Sequence, residues 1–469
     1  MSKKPKNATI RKTTSKKPTA QASVDPSDLT VANTNPRPAS DAEFAQPEPV
    51  SAPAHFRTKH LSDAAAYAIL DKLQKEGEVL PTAFPSSRGG VEPILSLEQI
   101  WGSAGKGRLA EITSAGQIVF HAVGDTGNTR SVAPQEAVAD KMESDFADDH
   151  PENMPAFFFH LGDVIYSFGE AMYYYDQFYE PYRNYPAPIV ALAGNHDGIV
   201  APNTTAKPLA AFLENFCAES FLHTPEAGGL DRTAMIQPGV YFTFEAPLVR
   251  IVCLYSNTLE DPGVISSEGG KWKDLTDVQL EFLEAALKRV KSEKFAGALI
   301  IAMHHPAYTW GASHNGSPEM LKEIDNICAA TGVWPHAVLS GHAHNYQRFT
   351  RQTGAMQIPY VIGGNGGHAK APLRQAGGGP IRTPVVIPAL SLGSDSVTFE
   401  NYDCLDYGYL RISVDAKQLR IEYHCSSDSS AAKSPSDFVT VDLASRKLAA
   451  YEARSIDGGA AAKAHGKHR

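Results

Sequence analysis

The sequence predicts an α/β fold in which two mixed β-sheets pack face to face with helices on their outer faces. Three observations predict it. Strand-like and helix-like stretches alternate from Gly116 to His344, as parallel strands joined by helical crossovers require. The strands read as nearly continuous apolar runs, the pattern of a sheet covered on both sides. Beyond His344 only strand-like segments follow, and these would supply a second sheet.

Residues 1–55 are rich in Pro, Lys, Ser, Thr and Ala and poor in large apolar groups, so they read as a disordered basic arm. The opening MSKKPKNATIRKTTSKKPTA has no apolar run and is no secretory signal. It lacks acids, as transit peptides do, but also lacks their apolar face. Residues 56–115 form a helical lead-in, with apolar groups at helical spacing over 61–76. The main domain spans 116–445. Its strands are GQIVFHAVGD, PAFFFHLGD, PIVALAGNHD, GVYFTF, VRIVCLYS, AGALIIAMHH and HAVLSGHAH. Helices are expected over APQEAVADKMESDFADD, near 173–179, at 209–218, from Thr276 and at 319–329. The Thr276 helix shows a capping pattern with Gln279 and would bury Leu280, Leu283 and Leu287. YQRFTR, IPYVIGG, SVTFENY, GYLRISV and QLRIEYH are the late strands. Residues 455–469 read as a disordered basic tail whose His465 and His468 are solvated.

Composition narrows the function classes. Hydrophobic residues make up 42% of 469 and charged residues 20%, with a net charge of -9. A large core is affordable, and the negative balance argues against nucleic acid as the main ligand. Five widely spaced cysteines with no CxxC pair exclude a thiolate zinc site and a dense disulfide framework. They fit a reducing compartment and leave room for one bridge, such as Cys404–Cys425. No apolar run is long enough to span a membrane. A cytoplasmic location is the expectation. Nothing in the sequence indicates the oligomeric state.

Five predicted strands end in metal-binding side chains: Gly124-Asp125-Thr126-Gly127, Gly162-Asp163-Val164-Ile165-Tyr166, Gly194-Asn195-His196-Asp197, His304-His305-Pro306 and Gly341-His342-Ala343-His344. Each alone reads as a turn or a helix cap. Together they matter, because ligand sites of open α/β sheets lie beyond the carboxyl ends of the strands. Carboxylate, carboxamide and imidazole suit Fe, Mn, Zn or Mg. A carboxylate bridging two such ions reduces their repulsion, and the ion pair can clamp a phosphoryl group and acidify water.

The order Asp-x-Gly, Gly-Asp-x-x-Tyr, Gly-Asn-His, His, Gly-His-x-His, running from Asp125 to His344, resembles the calcineurin-like metallophosphoesterases, and most closely their purple acid phosphatase branch. Most of the superfamily carries Asp-x-His in the first block; here Gly127 replaces that histidine and Tyr166 stands in the second block. The resemblance implies an αββα sandwich and two metal ions. One would be held by Asp125, Asp163, Tyr166 and His344, the other by Asp163, Asn195, His304 and His342, with Asp163 as the bridge. It implies Fe(III) at the Tyr166 phenolate and Fe, Zn or Mn at the second position. His196 would contact the substrate phosphate, and His314, ten residues beyond His304, could protonate the leaving group. The implied activity is acid-phosphatase-type hydrolysis of small phosphomonoesters by an activated hydroxide, with a phosphodiesterase or nucleotidase as the alternative on the same site. Two expectations depart from the branch: the opening residues do not read as a secretion signal, and the stretch before Gly116 reads as too short and too helical for the N-terminal sandwich domain such proteins often carry. Around the site, His305 reads as structural or as a support for the metal ligands, Tyr308 and Trp310 as pocket walls, and Gly363-Gly364-Asn365-Gly366-Gly367, which looks like a phosphate cradle but lacks the Lys-Ser/Thr of a P-loop, as a tight turn near the site. The orientation of His160 stays open.

Overall fold

The structure, a computed structural model, describes residues 63–452 except 130, 148–149, 203, 312–313, 374–378 and 428–433. The expected arm at 1–55 and tail at 455–469 lie outside the described residues. One sheet has nine strands, in spatial order Ile94–Ser96, Phe242–Ala246, Val249–Leu254, Ala298–Met303, Ala337–Ser340, Met356–Gly363, Tyr346–Thr353, Ser396–Asp403 and Val385–Val386. The other has seven: Lys447–Leu448, Asp437–Asp442, Gln418–Cys425, Gly408–Asp415, Gln117–Val123, Phe158–His160 and Ile189–Ala191.

Each sheet is built around a parallel set. Gln117–Val123, Phe158–His160 and Ile189–Ala191 run parallel in the first half of the chain. Val249–Leu254, Ala298–Met303, Ala337–Ser340 and Met356–Gly363 do so in the second. All these strands except the last are buried along nearly their whole length, which is why they read as apolar runs. The late strands do not form a sheet of their own. Those from Tyr346 to Asp403 extend the nine-stranded sheet, and those from Gly408 onward extend the other. Gly408–Asp415 pairs antiparallel with Gln117–Val123, setting Ile412 opposite Phe120. This covers what would otherwise be an unpaired edge of the first parallel set.

The apolar faces of both sheets share one core. Phe157, just before its strand, meets Phe244 of the opposite sheet with ring centroids 4.8 Å apart. Helices Val278–Ser292 and Pro318–Thr331 pack on each other and bury Phe282, Leu283, Leu287, Met320, Leu321 and Ile324. Gly105–Ala115 and Ala133–Glu143 contact strands of the seven-stranded sheet. The expected capping role of Gln279 is not what the structure shows. Asp277 precedes that helix, while the buried Gln279 side chain pairs with the backbone N–H and C=O of Tyr255 at 2.8 and 2.9 Å. Leu280 is only half-buried. The lead-in also holds the short strand Ile94–Ser96, which joins Phe242–Ala246. All five cysteines are free thiols, so no Cys404–Cys425 bridge exists.

Candidate metal centre

The five strand ends meet. Val123, His160 and Ala191 close strands of the seven-stranded sheet and lead to Asp125, Asp163 and Asn195. Met303 and Ser340 close strands of the nine-stranded sheet and lead to His304, His342 and His344. Both sheets therefore contribute, and all seven predicted side chains converge. The Tyr166 hydroxyl lies 2.8 Å from Asp163 Oδ2, 3.0 Å from Asp125 Oδ1 and 3.2 Å from His344 Nε2. Asn195 Oδ1 lies 3.1 Å from both His304 Nε2 and His342 Nδ1. His304 Nε2 also reaches Asp163 Oδ2 at 3.2 Å. Two groups of donor atoms thus share Asp163 Oδ2. Asp125, Asp163, Tyr166, Asn195, His304 and His342 are fully buried; the His344 side chain is 12% exposed.

Local backbone chemistry sets these positions. Asp125, Asp163, His342 and His344 all take positive φ, between 48° and 71°, a region non-glycine residues rarely adopt. The strain is offset by hydrogen bonds to the same residues: Asp125 Oδ2 receives the His342 N–H at 2.7 Å, and Asp163 Oδ1 the His196 N–H at 2.8 Å. Strain of this kind concentrates at functional sites. His304 Nδ1 faces the Leu161 carbonyl at 2.8 Å, which directs Nε2 inward. Asp197 accepts from the N–H groups of Gly194 and Val164 and ties two of the strand ends together. Gly127 has no room for a side chain. An added Cβ would lie 2.3 Å from Gln177 Oε1 and 2.7 Å from the Val164 carbonyl. Gln177 in turn fixes Tyr166, accepting from its N–H at 2.7 Å.

The charge pattern asks for cations. With its Nδ1 proton committed to Leu161, a neutral His304 points a lone pair at two acceptor oxygens, Asn195 Oδ1 and Asp163 Oδ2. A proton or a positive ion relieves that contact. Burial disfavours a charged His304, yet Asp163 and Asp125 raise it to about 9. Burial likewise opposes ionised Asp163, but His304 and His196 hold it well below the usual carboxylate range. Burial, with Asp163 alongside, pushes Asp125 up. Burial and the neighbouring histidines push His342 and His344 well down, leaving their lone pairs available. Among the described residues, Asp163, His304 and His342 hold ligand atoms within 4.8 Å of one another. The donor set is oxygen and nitrogen throughout and fits hard or borderline ions.

Residues 118–346 match the family model described as calcineurin-like phosphoesterase. That span is similar to this family. Its members typically bind two metal ions, and the centre just described lies wholly within the matched span. Similar solved structures include PhoD, at 14% identity over 73% of this chain and 73% of that one, with a TM-score of 0.43. They also include GAP50, the anchor in the inner membrane complex of Plasmodium, at 12% identity over 66% of this chain and 85% of that one (TM-score 0.44). A dimetal phosphatase from Danio rerio matches at 9% identity over 70% and 99% (TM-score 0.39). No curated protein matches the chain.

Around this centre stand the two predicted catalytic histidines. The His196 ring tilts over Tyr166 at 4.2 Å between centroids, with Nδ1 against the Ser167 carbonyl at 2.7 Å. His314 lies 4.7 and 4.6 Å from the rings of His342 and His344, with Nε2 3.3 Å from Glu260 Oε1. Four further residues carry no motif and were not expected: Tyr67, Glu260, Asp261 and His368. His368 stacks on Tyr166 at 3.5 Å and 12°, its Nδ1 held by the Gly127 carbonyl. Asp261 Oδ1 lies 3.8 Å from His342 Nε2. The glycine-rich turn packs behind Asp125: a Cβ on Gly364 would meet Asp125 Oδ2 at 2.9 Å. His305 is structural, bound to Ser256 Oγ and the Leu259 carbonyl. His160 bonds Thr126 Oγ1 at 2.8 Å. Tyr308 and Trp310 were expected to wall the pocket. Tyr308 is buried with its ring edge-on to Tyr360, and the half-buried Trp310 stacks on Phe399. Among the described residues no helix is long and apolar enough to cross a membrane.

Proposed function

We propose that this chain is a two-metal phosphomonoesterase of the acid-phosphatase type. The observation that carries the reading is the sharing of Asp163 Oδ2 between two sets of donor atoms. One ion would be held by Asp125, Asp163, Tyr166 and His344, the other by Asp163, Asn195, His304 and His342. When bound, the two ions supply positive charge to the phosphoryl oxygens and acidify water between them. A phenolate at Tyr166 favours Fe(III) there, with Fe, Zn or Mn beside it.

The remaining steps belong to the protein. His196 donates its Nδ1–H to the Ser167 carbonyl, which directs Nε2 outward; carrying a second proton there, the ring would donate to a phosphoryl oxygen. Burial opposes a charged His314, but the Glu260 carboxylate beside it outweighs burial and raises the imidazole above its ordinary value. It would pass a proton to the leaving alkoxide. The dry walls around Asp163 strengthen each of these contacts.

One observation favours the diesterase alternative. Glu260 Oε2 lies 3.4 Å from Asn195 Nδ2, and Asp261 Oδ1 lies beside His342. Two carboxylates at this edge repel a dianionic monoester more than a monoanionic diester. The deciding experiment combines metal analysis, a visible spectrum and turnover of p-nitrophenyl phosphate, bis-p-nitrophenyl phosphate and nucleotides. The proposal expects two metals per chain, a tyrosinate–iron absorption band and preference for the monoester. A colourless active protein removes iron from the reading, a preference for the diester replaces the monoesterase, and a metal-loaded protein inert on all three removes both.

A further inference from the structure

Tyr67 lies on the helix Asp63–Lys75, well before the family-matched span that begins at residue 118. Its ring nevertheless lies against His196, with centroids 5.2 Å apart at 30°, and meets Phe168 edge-on at 6.2 Å. The hydroxyl donates to Glu260 Oε2 at 3.2 Å and stands 3.4 Å from His196 Nε2. The same helix is fastened beside the site by Gln74, whose Oε1 accepts from the Glu260 N–H at 3.2 Å. Glu260 itself reaches both Asn195 Nδ2 and His314 Nε2. An unbroken series of contacts, His196–Tyr67–Glu260–His314, therefore joins the two candidate catalytic histidines through a helix outside the matched span.

Two polar groups 3.4 Å apart can both reach a single oxygen at about 2.8 Å, the usual hydrogen-bond length. Convergent groups of this kind stabilise charge on a phosphoryl oxygen. Burial, Glu260 and other nearby carboxylates keep the Tyr67 phenol protonated, so it remains a neutral donor. Its resting bond to Glu260 is long and is exchanged at little cost. Glu260 keeps His314 as a partner when that exchange occurs.

We propose that Tyr67 is a substrate-contacting residue, its hydroxyl sharing a phosphoryl oxygen with His196, and that Glu260 is the positioning residue that aims it. This rests on the phosphoesterase reading above. The test uses the full, metal-loaded chain and Tyr67→Phe, which keeps the ring and removes only the donor. Calorimetric titration with inorganic phosphate reads binding without turnover, and p-nitrophenyl phosphate kinetics separate KM from kcat. Losing one hydrogen bond to a charged group should weaken phosphate binding and raise KM about tenfold. The metal content should stay unchanged and kcat should move by less than about threefold. Unchanged phosphate affinity and KM overturn the assignment. So does a parallel fall in metal content and kcat, which would mark a packing role. Glu260→Gln, which removes the repelling charge but keeps an acceptor for Tyr67, is the reference for a second variant: Glu260→Ala, which removes charge and acceptor alike, should bind phosphate about tenfold more weakly than Glu260→Gln, so that Gln rescues what Ala loses. Failure of that rescue overturns the role of Glu260. If the wild-type chain hydrolyses no phosphate ester, the phosphoesterase reading fails on its own, and the phosphate titration still decides Tyr67.

Discussion

The two oxygens of Asp163 face different tasks: Oδ1 holds the His196 amide, and Oδ2 faces Tyr166 on one side and His304 on the other. Asp163→Asn preserves the shape and removes the charge. It should therefore lose metal, to below two ions per chain, and lower turnover at least about a hundredfold, the scale of losing one preorganised charge. Elemental analysis and p-nitrophenyl phosphate kinetics check both. Wild-type turnover in this variant would sink the bridging role. His304 gives a pH prediction with a definite sign. In the metal-free chain it holds its proton up to about 9, so an incoming ion must displace that proton. Metal affinity should rise with pH below that point, by about tenfold per unit for each proton displaced. Chelator-competition titrations at pH 6, 7 and 8 would show it, and a flat profile would contradict it. The seven clustered side chains were legible because each sits a few residues beyond an apolar strand. Tyr67, Glu260, Asp261 and His368 were not, because nothing local distinguishes them: an isolated tyrosine on an ordinary helix becomes a site residue only through tertiary packing.

At the scale of elements, strand ends carry the information and loops carry the surprises. The Asp-x-Gly block shows why. Its glycine is required by the Gln177 side chain and the Val164 carbonyl, which fill the space a Cβ would need. Gln177 belongs to the π-helical turn Tyr175–Tyr179, a segment the sequence marks only as aromatic and helical. Gly127→Ala should overpack this contact, destabilise the fold by about 1–3 kcal/mol and disturb Tyr166, whose N–H depends on Gln177. A denaturant titration measures the first effect. If iron is bound, a shifted or weakened visible band reports the second. Unchanged stability would mean that the turn yields more readily than its buried contacts imply. The same logic explains the Thr276 region. The Thr-x-x-Gln spacing matches a cap, but the buried Tyr255 backbone takes Gln279 for itself. Strands as short as Ile94–Ser96 and Lys447–Leu448 leave too few residues for any periodicity to register.

Over the whole molecule, the sequence implied two sheets but not how the late strands divide between them, since pairing partners leave no trace in a strand's own apolar pattern. That division has an energetic consequence. Asp125, Asp163 and Asn195 come from the seven-stranded sheet, and His304, His342 and His344 from the nine-stranded one. The proposed ions would therefore join the two layers of the sandwich at their carboxyl edges. A ligand that binds only the folded state stabilises it by about 2.7 kcal/mol at a hundredfold excess over Kd. Metal should accordingly raise Tm by several degrees, and a chelator should reverse the rise. The staple also predicts where the gain arises. His342→Ala, which removes a donor from the nine-stranded side, should forfeit much of it, although Asp125 and Asp163 remain. Melting curves with and without metal for both proteins test this. A metal-induced shift equal to wild type in His342→Ala would place the bound ions on the seven-stranded sheet alone.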